Sequence, residues 1–481
     1  MGLKRRDSGQ PDAKRRKRVG FTEFDIGIEA NECVKIFLVS KPEEVDCAES
    51  FCISPVDLNQ FFGEDGKIYG YKDLKINIWL SSRSFHAYPE ISFQKSFKVS
   101  RTAGCVKGTM GITDLNPVFQ IMFGESLVVK KDEFLDTFST EHNYIRDIVS
   151  NGMVIHSKVL EKHDDSLNYL SEEESPKTEH QVIRMDPSSG PVGQLYSRLV
   201  PLVLLLVEGG RPIDISDPRW DIYFAVEKES NQLGSIGIKL HGFATMYRFY
   251  HHPDSTRFRI SQLLVLPPYQ GHGHGSILLE TINSIAIAED VYDVTAEEPS
   301  DYLQQIRVCI DTLRLLTFEP VKSSVTSIAS QLKESKLSKR VGKFWSDPPA
   351  AIIEEARKQL KINKKQFVRC WEVLIFLYLH PDDQKSMENF RTCIADRLKA
   401  DILEKSPETN GKSVIDVPSD YNPQMTFVVF QAAASQVKVD GAGVNGNENN
   451  IQDDQLNQVV DKHVEEIMEI AKKVAMHAAK S

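Results

Sequence analysis

What this chain lacks narrows it first. No apolar run approaches the length of a membrane span. The most apolar stretch, Val200-Pro201-Leu202-Val203-Leu204-Leu205-Leu206-Val207, is short and carries a proline. The first eighteen residues are basic and contain no apolar core, so a secretory leader is not expected. Cysteine is sparse. Cys33, Cys47, Cys52, Cys105, Cys309, Cys370 and Cys393 make an odd number with no CxxC pair. That argues against a disulfide framework or a cysteine-zinc site and for a reducing compartment. No internal repeat stands out.

What is present fits a globular protein of two or three domains. The chain has 481 residues, 41% hydrophobic and 26% charged. Its net charge of -10 is unevenly spread. Lys4, Arg5, Arg6, Lys14, Arg15, Arg16, Lys17 and Arg18 crowd the first eighteen residues with only Asp7 and Asp12 against them, so a basic arm precedes an acidic body. Two basic clusters across a short spacer have the form of a nuclear import signal; the plainer alternative is a solvated tail. An acidic body argues against direct nucleic-acid contact and suits a basic partner.

Along the chain, residues 20–150 alternate short strand-like runs with loops. Gly70 to Leu80 alternates like one half-buried strand, and Lys130 to Ser150 reads as helical. A polar loop is expected at Ser171 to Glu179. A helix is expected over Val192 to Val207, then strands at Trp220 to Val226, Ser235 to Phe249 and Arg257 to Leu266. A glycine loop, a helix over Ser276 to Ala288, a strand at Val291 to Ala296 and a helix after Pro299 complete an α/β plan. Residues 320–404 are helical in pattern, best at Ala351 to Leu360 and Lys365 to Leu379. Gly441 to Asn450 reads as a linker. A last amphipathic helix carries a stripe of Leu456, Val459 or Val460, Val464, Ile467, Ile470 or Ala471, and Val474.

The chemistry concentrates at Leu263-Leu264-Val265-Leu266-Pro267-Pro268-Tyr269-Gln270-Gly271-His272-Gly273-His274-Gly275-Ser276. The paired prolines stop a strand. Glycines then free backbone N–H groups to turn toward an anion at the positive end of the following helix, which makes a diphosphate cradle. The spacing is GxGxG rather than GxGxxG, and no Lys-Ser or Lys-Thr pair follows, so dinucleotide and P-loop sites are not indicated. His272 and His274 have no cysteine or carboxylate at ligand spacing beside them. They are read as loop histidines near a phosphate, and no metal is expected.

Gln270, Gly273 and Gly275 match the Q/R-x-x-G-x-G/A signature of the Gcn5-related acetyltransferases. Within that superfamily the chain resembles the type B histone acetyltransferase catalytic subunits. The resemblance rests on Phe62-Gly63-Glu64-Asp65 with Gly70-Tyr71-Lys72, Ile213-Asp214 with Asp217, Arg219 and Trp220, and Arg257 through Ser261-Gln262. Thr295-Ala296-Glu297-Glu298-Pro299-Ser300 and Lys361-Ile362-Asn363-Lys364 add to it.

The resemblance implies an α/β fold: an acetyltransferase core with a mixed central sheet flanked by helices, an N-terminal α+β domain and a C-terminal helical domain. The expected divisions are a basic disordered arm (1–19), the α+β domain (20–189), the core (190–319), the helical domain (320–434), a linker (435–455) and the last helix (456–481).

The resemblance also implies acetyl-CoA as co-substrate. Leu263, Leu264 and Val265 would hold the pantetheine arm and supply a backbone N–H to the reacting carbonyl. Gln270, Gly271, His272, Gly273, His274, Gly275 and Ser276 would hold the diphosphate, and Ser300 joins the cofactor site. Read from the residues alone, Glu297-Glu298 is a solvated turn or the first turn of a helix, and Glu208 is a loop residue. The resemblance places the principal general base on Glu297 and puts Glu208 and Glu298 in the same acidic site. It places tail contacts on Glu64, Tyr247, Arg248 and Phe249. Gly66 stands where an acidic residue is expected, with Asp65 next to it. Alternation along a strand would equally make Tyr247 and Phe249 core aromatics.

The substrate implied is the N-terminal tail of free, newly made histone H4, with a WD-repeat histone-binding chaperone as partner, in nucleus and cytoplasm. Two alternatives remain open: acetylation of another protein or small amine, and a catalytically silent acyl-CoA-binding adaptor.

Overall fold

The computed structural model describes residues 27–63, 65–96, 112–160, 178–230, 236–334, 347–379, 382–405 and 448–479. The basic arm, Glu64, most of the polar loop (171–177) and residues 435–447 of the expected linker lie outside them. The chain forms two compact units. One comprises residues 1–248 and 259–281, the other 249–258 and 282–481.

Besides two short two-stranded pairings, the first unit contains two larger sheets. A four-stranded one runs in the order Cys52–Ile53, Val34–Val39, Lys75–Ser81, Ala87–Ser92, with Val34–Val39 parallel to Lys75–Ser81. The single strand expected over Gly70 to Leu80 is broken. Asp73 takes a positive φ of 51°, which separates Tyr71–Lys72 from Lys75–Ser81. The helical stretch after Lys130 is likewise two helices, Lys131–Thr140 and Tyr144–Val149.

The larger sheet begins earlier in the chain than the expected core. Met153–Leu160 and Thr178–Met185, which the sequence reading put in the N-terminal domain, pair antiparallel with each other, and the second pairs with Trp220–Ser230. Ile236–His251 and then Ser255–Val265 follow in sheet order. The helix Gly190–Leu206 supplies Leu195, Leu199, Leu202 and Val203 to a buried cluster with Ile222, Phe224, Phe243 and Leu264 from the sheet. The carbonyls at its C-terminal end are met by Val56 N–H at 2.7 Å (Leu205 O) and by Gln60 Nε2 at 2.9 Å (Leu204 O).

In the second unit the short strand Val294–Ala296 lies beside the start of Ser255–Val265. Phe258 N–H donates to Asp293 O at 3.0 Å and Tyr292 N–H to Thr256 O at 2.7 Å. The helices Asp301–Leu316, Glu319–Glu334, Ala350–Leu360, Lys364–Tyr378 and Gln384–Lys405 follow. Phe367, Trp371, Leu374 and Phe390 centre their core.

The last helix spans Glu448–Ala478, so 448–455, expected as linker, is helical. Elongating a helix that packing has already nucleated costs little. Its stripe is fixed by burial: Val460, Ile467, Ile470, Ala471 and Val474 enter the core, whereas Val459 is 51% exposed. Among the described residues no helix is long and apolar enough to cross a membrane.

Candidate functional site

The glycine loop sits between the strand Ser255–Val265 and the helix His274–Ala288, as the sequence pattern requires. Pro267–Tyr269 makes one tight turn, closed by Tyr269 N–H to Leu266 O at 2.8 Å. Gln270 Nε2 then donates back to Val265 O at 2.9 Å, pinning the loop to the strand end. Gly271 and Gly273 have φ of 79° and 87°, and a Cβ at either would meet nothing within 4 Å. These glycines are therefore required by backbone conformation, and the space over them is open. Ile277 N–H closes the first helical bond onto Gly273 O at 3.1 Å. The N–H groups of Gly275 and Ser276 lie ahead of that bond, at the positive end of the helix. The arrangement suits an anionic phosphate group.

The strand divides its side chains. Leu264 turns into the core. A Cβ at Gly275 would stand 3.6 Å from Val265 Cγ2 and 3.8 Å from Leu263 Cδ2, so the helix start rides over these two residues. Gln262, 6% exposed, anchors the strand from behind: Nε2 donates to Arg211 O at 2.5 Å, and Oε1 accepts from Tyr196 Oη at 3.2 Å. Tyr196 Oη also accepts from Ile213 N–H at 2.9 Å.

The loop histidines separate. His272 is exposed, but the His274 side chain is buried at 5%, its ring 4.3 Å from that of His241 and 5.1 Å from that of His180. Burial, followed by His180 and His272, holds the His274 imidazole below its ordinary value. The His272 side chain thus stays at the surface of the loop, while that of His274 packs against His241 and His180.

Glu208 is exposed on a turn at the C-terminal end of the helix Gly190–Leu206. Gly209 has φ of 65°, and a Cβ at Gly210 would stand 2.7 Å from Val203 O, so the two glycines fold the chain tightly after Glu208.

Among the expected tail contacts, Asp65 is exposed and hydrogen-bonds the Tyr69 hydroxyl, which holds its carboxyl below the usual range. Gly66 has φ of 61°, and a Cβ there would stand 2.4 Å from Asn59 Oδ1. This backbone and the Asn59 side chain together disfavour the missing acid. Tyr247 is half-buried rather than core. Its hydroxyl donates to Asp217 at 3.0 Å, and its ring meets Trp220 edge-on at 4.7 Å with the Arg219 guanidinium 4.9 Å away. Asp217 is lowered to about 2, chiefly by its bonds to Arg219. Arg248 Nε reaches Asp221 at 2.8 Å, and Asp221 also takes Arg184 Nε at 2.9 Å.

In the second unit, Phe249 is half-buried and Glu297 and Glu298 are exposed at the end of Val294–Ala296. That strand end is firmly fixed. Val294 N–H donates to Lys361 O at 2.9 Å, Asn363 Nδ2 to Val294 O at 2.8 Å, and Thr295 Oγ1 to Phe258 O at 3.1 Å. Two sequence segments that carried the resemblance, 295–300 and 361–364, are thus neighbours. Glu298 takes a φ of 36° and does not cap the next helix; Ser300 does, its hydroxyl accepting from Leu303 N–H at 3.3 Å.

Comparison with known proteins finds relatives along nearly the whole chain. Residues 26–208 match the family model described as the histone acetyl transferase HAT1 N-terminus, and 211–307 match the acetyltransferase (GNAT) family. A histone acetyltransferase type B catalytic subunit of Zea mays is 48% identical over 98% of this chain and 97% of its own. The Arabidopsis thaliana protein of the same name is 45% identical over 96% of each. That of Mus musculus is 25% identical over 85% of this chain and 89% of its own.

Proposed function

The chain belongs to the family of histone acetyltransferase type B catalytic subunits, and from that premise we propose that it acetylates lysine side chains in the N-terminal tail of free, newly synthesised histone H4, with Glu297 as general base. That it is an acetyltransferase with a GNAT domain, and so uses acetyl-CoA, follows from the family itself. The open loop Gln270 to Ser276, set between a fixed strand and a helix start, is the observation that supports the cofactor part of this reading; the H4 tail and the role of Glu297 rest on the resemblance.

A lysine ammonium, with a reference pKa of about 10.4, must lose a proton before it can attack a thioester. Glu297 takes that proton, directly or through one water. The free amine adds to the acetyl carbonyl, and a backbone N–H of the Leu263 to Val265 strand meets the oxyanion. The intermediate then collapses with loss of the coenzyme thiolate, which takes up a proton. By the resemblance Glu208 and Glu298 add negative charge that favours a basic tail. Gly271 and Gly273 leave room for the diphosphate, with Ser300 assigned to the cofactor as well.

The WD-repeat histone chaperone, the nuclear and cytoplasmic location and the import role of the basic arm come from the resemblance and from the arm's composition. The test is acetyl transfer from acetyl-CoA to an H4 tail peptide, an H3 tail peptide and a polyamine. Preference for the H4 peptide supports the reading, and equal turnover of the polyamine overturns its substrate.

A further inference from the structure

The bulge in the strand Ile236–His251 gathers residues that stand far apart in sequence. Trp220–Ser230 pairs with that strand as Ala225 to Gly242 and Val226 to Leu240, leaving His241 as the extra residue. A bulge of this kind re-aims a side chain. His180 and Glu227 are direct cross-strand partners, so their side chains share a face. One nitrogen of His180, one of His241 and a Glu227 oxygen all lie within 4.8 Å of one another. Glu227 Oε2 is 2.9 Å from His180 Nε2 and 3.8 Å from His241 Nε2. The His274 ring covers the group from the helix start.

We propose that His180, Glu227 and His241, with His274 as the nearest fourth ligand, form a binding site for a divalent transition metal of the zinc type. Three imidazoles and a carboxylate are a donor set suited to zinc.

Two observations favour an ion over a plain hydrogen-bonded network. His241 is buried, its Nε2 stands 3.8 Å from Glu227 Oε2, beyond hydrogen-bond length, and its Nδ1 has no hydrogen-bond partner, so the network leaves this imidazole unheld where polar atoms are costly. Three imidazoles also crowd together, with the His241 ring 4.3 Å from that of His274 and 5.5 Å from that of His180. The facing cation, Lys239, is 3.5 Å from the other oxygen of Glu227, Oε1, and 2.6 Å from Glu229, so its charge is balanced away from Oε2. Tyr269, its ring 4.1 Å from that of His241, and His272, its ring 6.5 Å from that of His274, are the remaining titratable neighbours. The ion would join three sheet strands to the first residue of the helix His274–Ala288, making a closed structural site rather than a catalytic one.

The test is calorimetric titration of the chelator-treated full chain with Zn2+, repeated with Co2+ as a spectroscopic probe. One ion per chain is expected, with a tetrahedral cobalt spectrum. Glu227→Gln and His180→Gln should each weaken binding by on the order of tenfold or more, since even outer partners of a metal are worth that much. Exposed His142→Ala, elsewhere in the first unit, should leave it unchanged. His180 and Glu227 are only half-buried, so both variants are expected to fold, with circular dichroism as the check; His241→Ala is a secondary variant. Failure of the folded wild type to bind, or undiminished binding in both Glu227→Gln and His180→Gln, overturns the site. Neither outcome bears on acetyl transfer, which is measured separately.

Discussion

Tyr196 and Gln262, 66 residues apart in sequence, share a hydrogen bond of 3.2 Å in the buried interior of the first unit. Through it the strand that leads into the glycine loop is tied to the helix Gly190–Leu206 and to the segment Arg211 to Ile213. Tyr196→Phe removes the hydroxyl and leaves Gln262 Oε1 and the Ile213 N–H short of a partner. Stability to urea should fall by about 1–3 kcal/mol, the cost of a buried polar group left unpaired. An unchanged unfolding midpoint would show that the hydroxyl is dispensable.

Gly273 has φ of 87° over open space. Gly273→Ala should weaken acetyl-CoA binding through backbone strain of about 1–2 kcal/mol, and Gly273→Asp should abolish it by adding negative charge against phosphate. Calorimetry decides this. Wild-type affinity in the aspartate variant removes the cradle.

Glu297→Gln should lower kcat on the H4 peptide by about 10²–10⁴, the usual contribution of a general base, with KM little changed. Glu298→Gln and Glu208→Gln should cost less. Wild-type kcat in the Glu297 variant would move the base elsewhere.

Gly66→Asp should destabilise the first unit even though it installs the acid expected at that position. The Cβ would stand 2.4 Å from Asn59 Oδ1 on a backbone that disfavours side chains. Thermal unfolding of Gly66→Asp alone and combined with Asn59→Gly separates the causes, because the second change relieves only the contact. Equal midpoints for Gly66→Asp and the wild type would refute the packing account.

His86 supplies a pH dependence. Burial, followed by the Arg198 charge, holds its imidazole below 6.5, with Glu141 opposing. The unfolded chain therefore takes up a proton as pH falls through 6.5, while the folded chain resists it. The contribution of His86 to stability is full above 6.5 and declines on the acid side until the lower folded value is reached. Wild type should lose thermal stability over that window more steeply than His86→Gln. Parallel slopes would exclude His86 as the source.

The loop was visible in the sequence because a strand, two prolines, spaced glycines and an apolar helix follow one another locally, and each restricts the backbone in its own way. Glu297 was placed at a strand end, but its fixation was not visible, since it depends on Lys361 and Asn363 from a distant segment. Gly66 could be seen only as a departure; its reason is a backbone angle and the position of Asn59. His180, Glu227 and His241 carried no signal at all. They meet through strand register and one bulge, neither of which has a spacing rule in sequence. The sequence does not mark the start of the final helix, because its first turns are polar and the apolar stripe begins only farther along.

The final helix bears on how the protein is made. Val460, Ile467 and Val474 complete the core built on Phe367, Trp371 and Leu374, and His463 Nε2 meets Glu372 at 2.9 Å. Chains emerge from the ribosome in sequence order, so the helix Lys364–Tyr378 is exposed well before its cover has been translated. The first unit, whose residues all precede Ile282, has by then everything it needs to fold. The two units should therefore mature in order, with the apolar groove of the second open to chaperones during the interval. A nascent chain arrested before Glu448 should carry a protease-resistant first unit and a sensitive remainder.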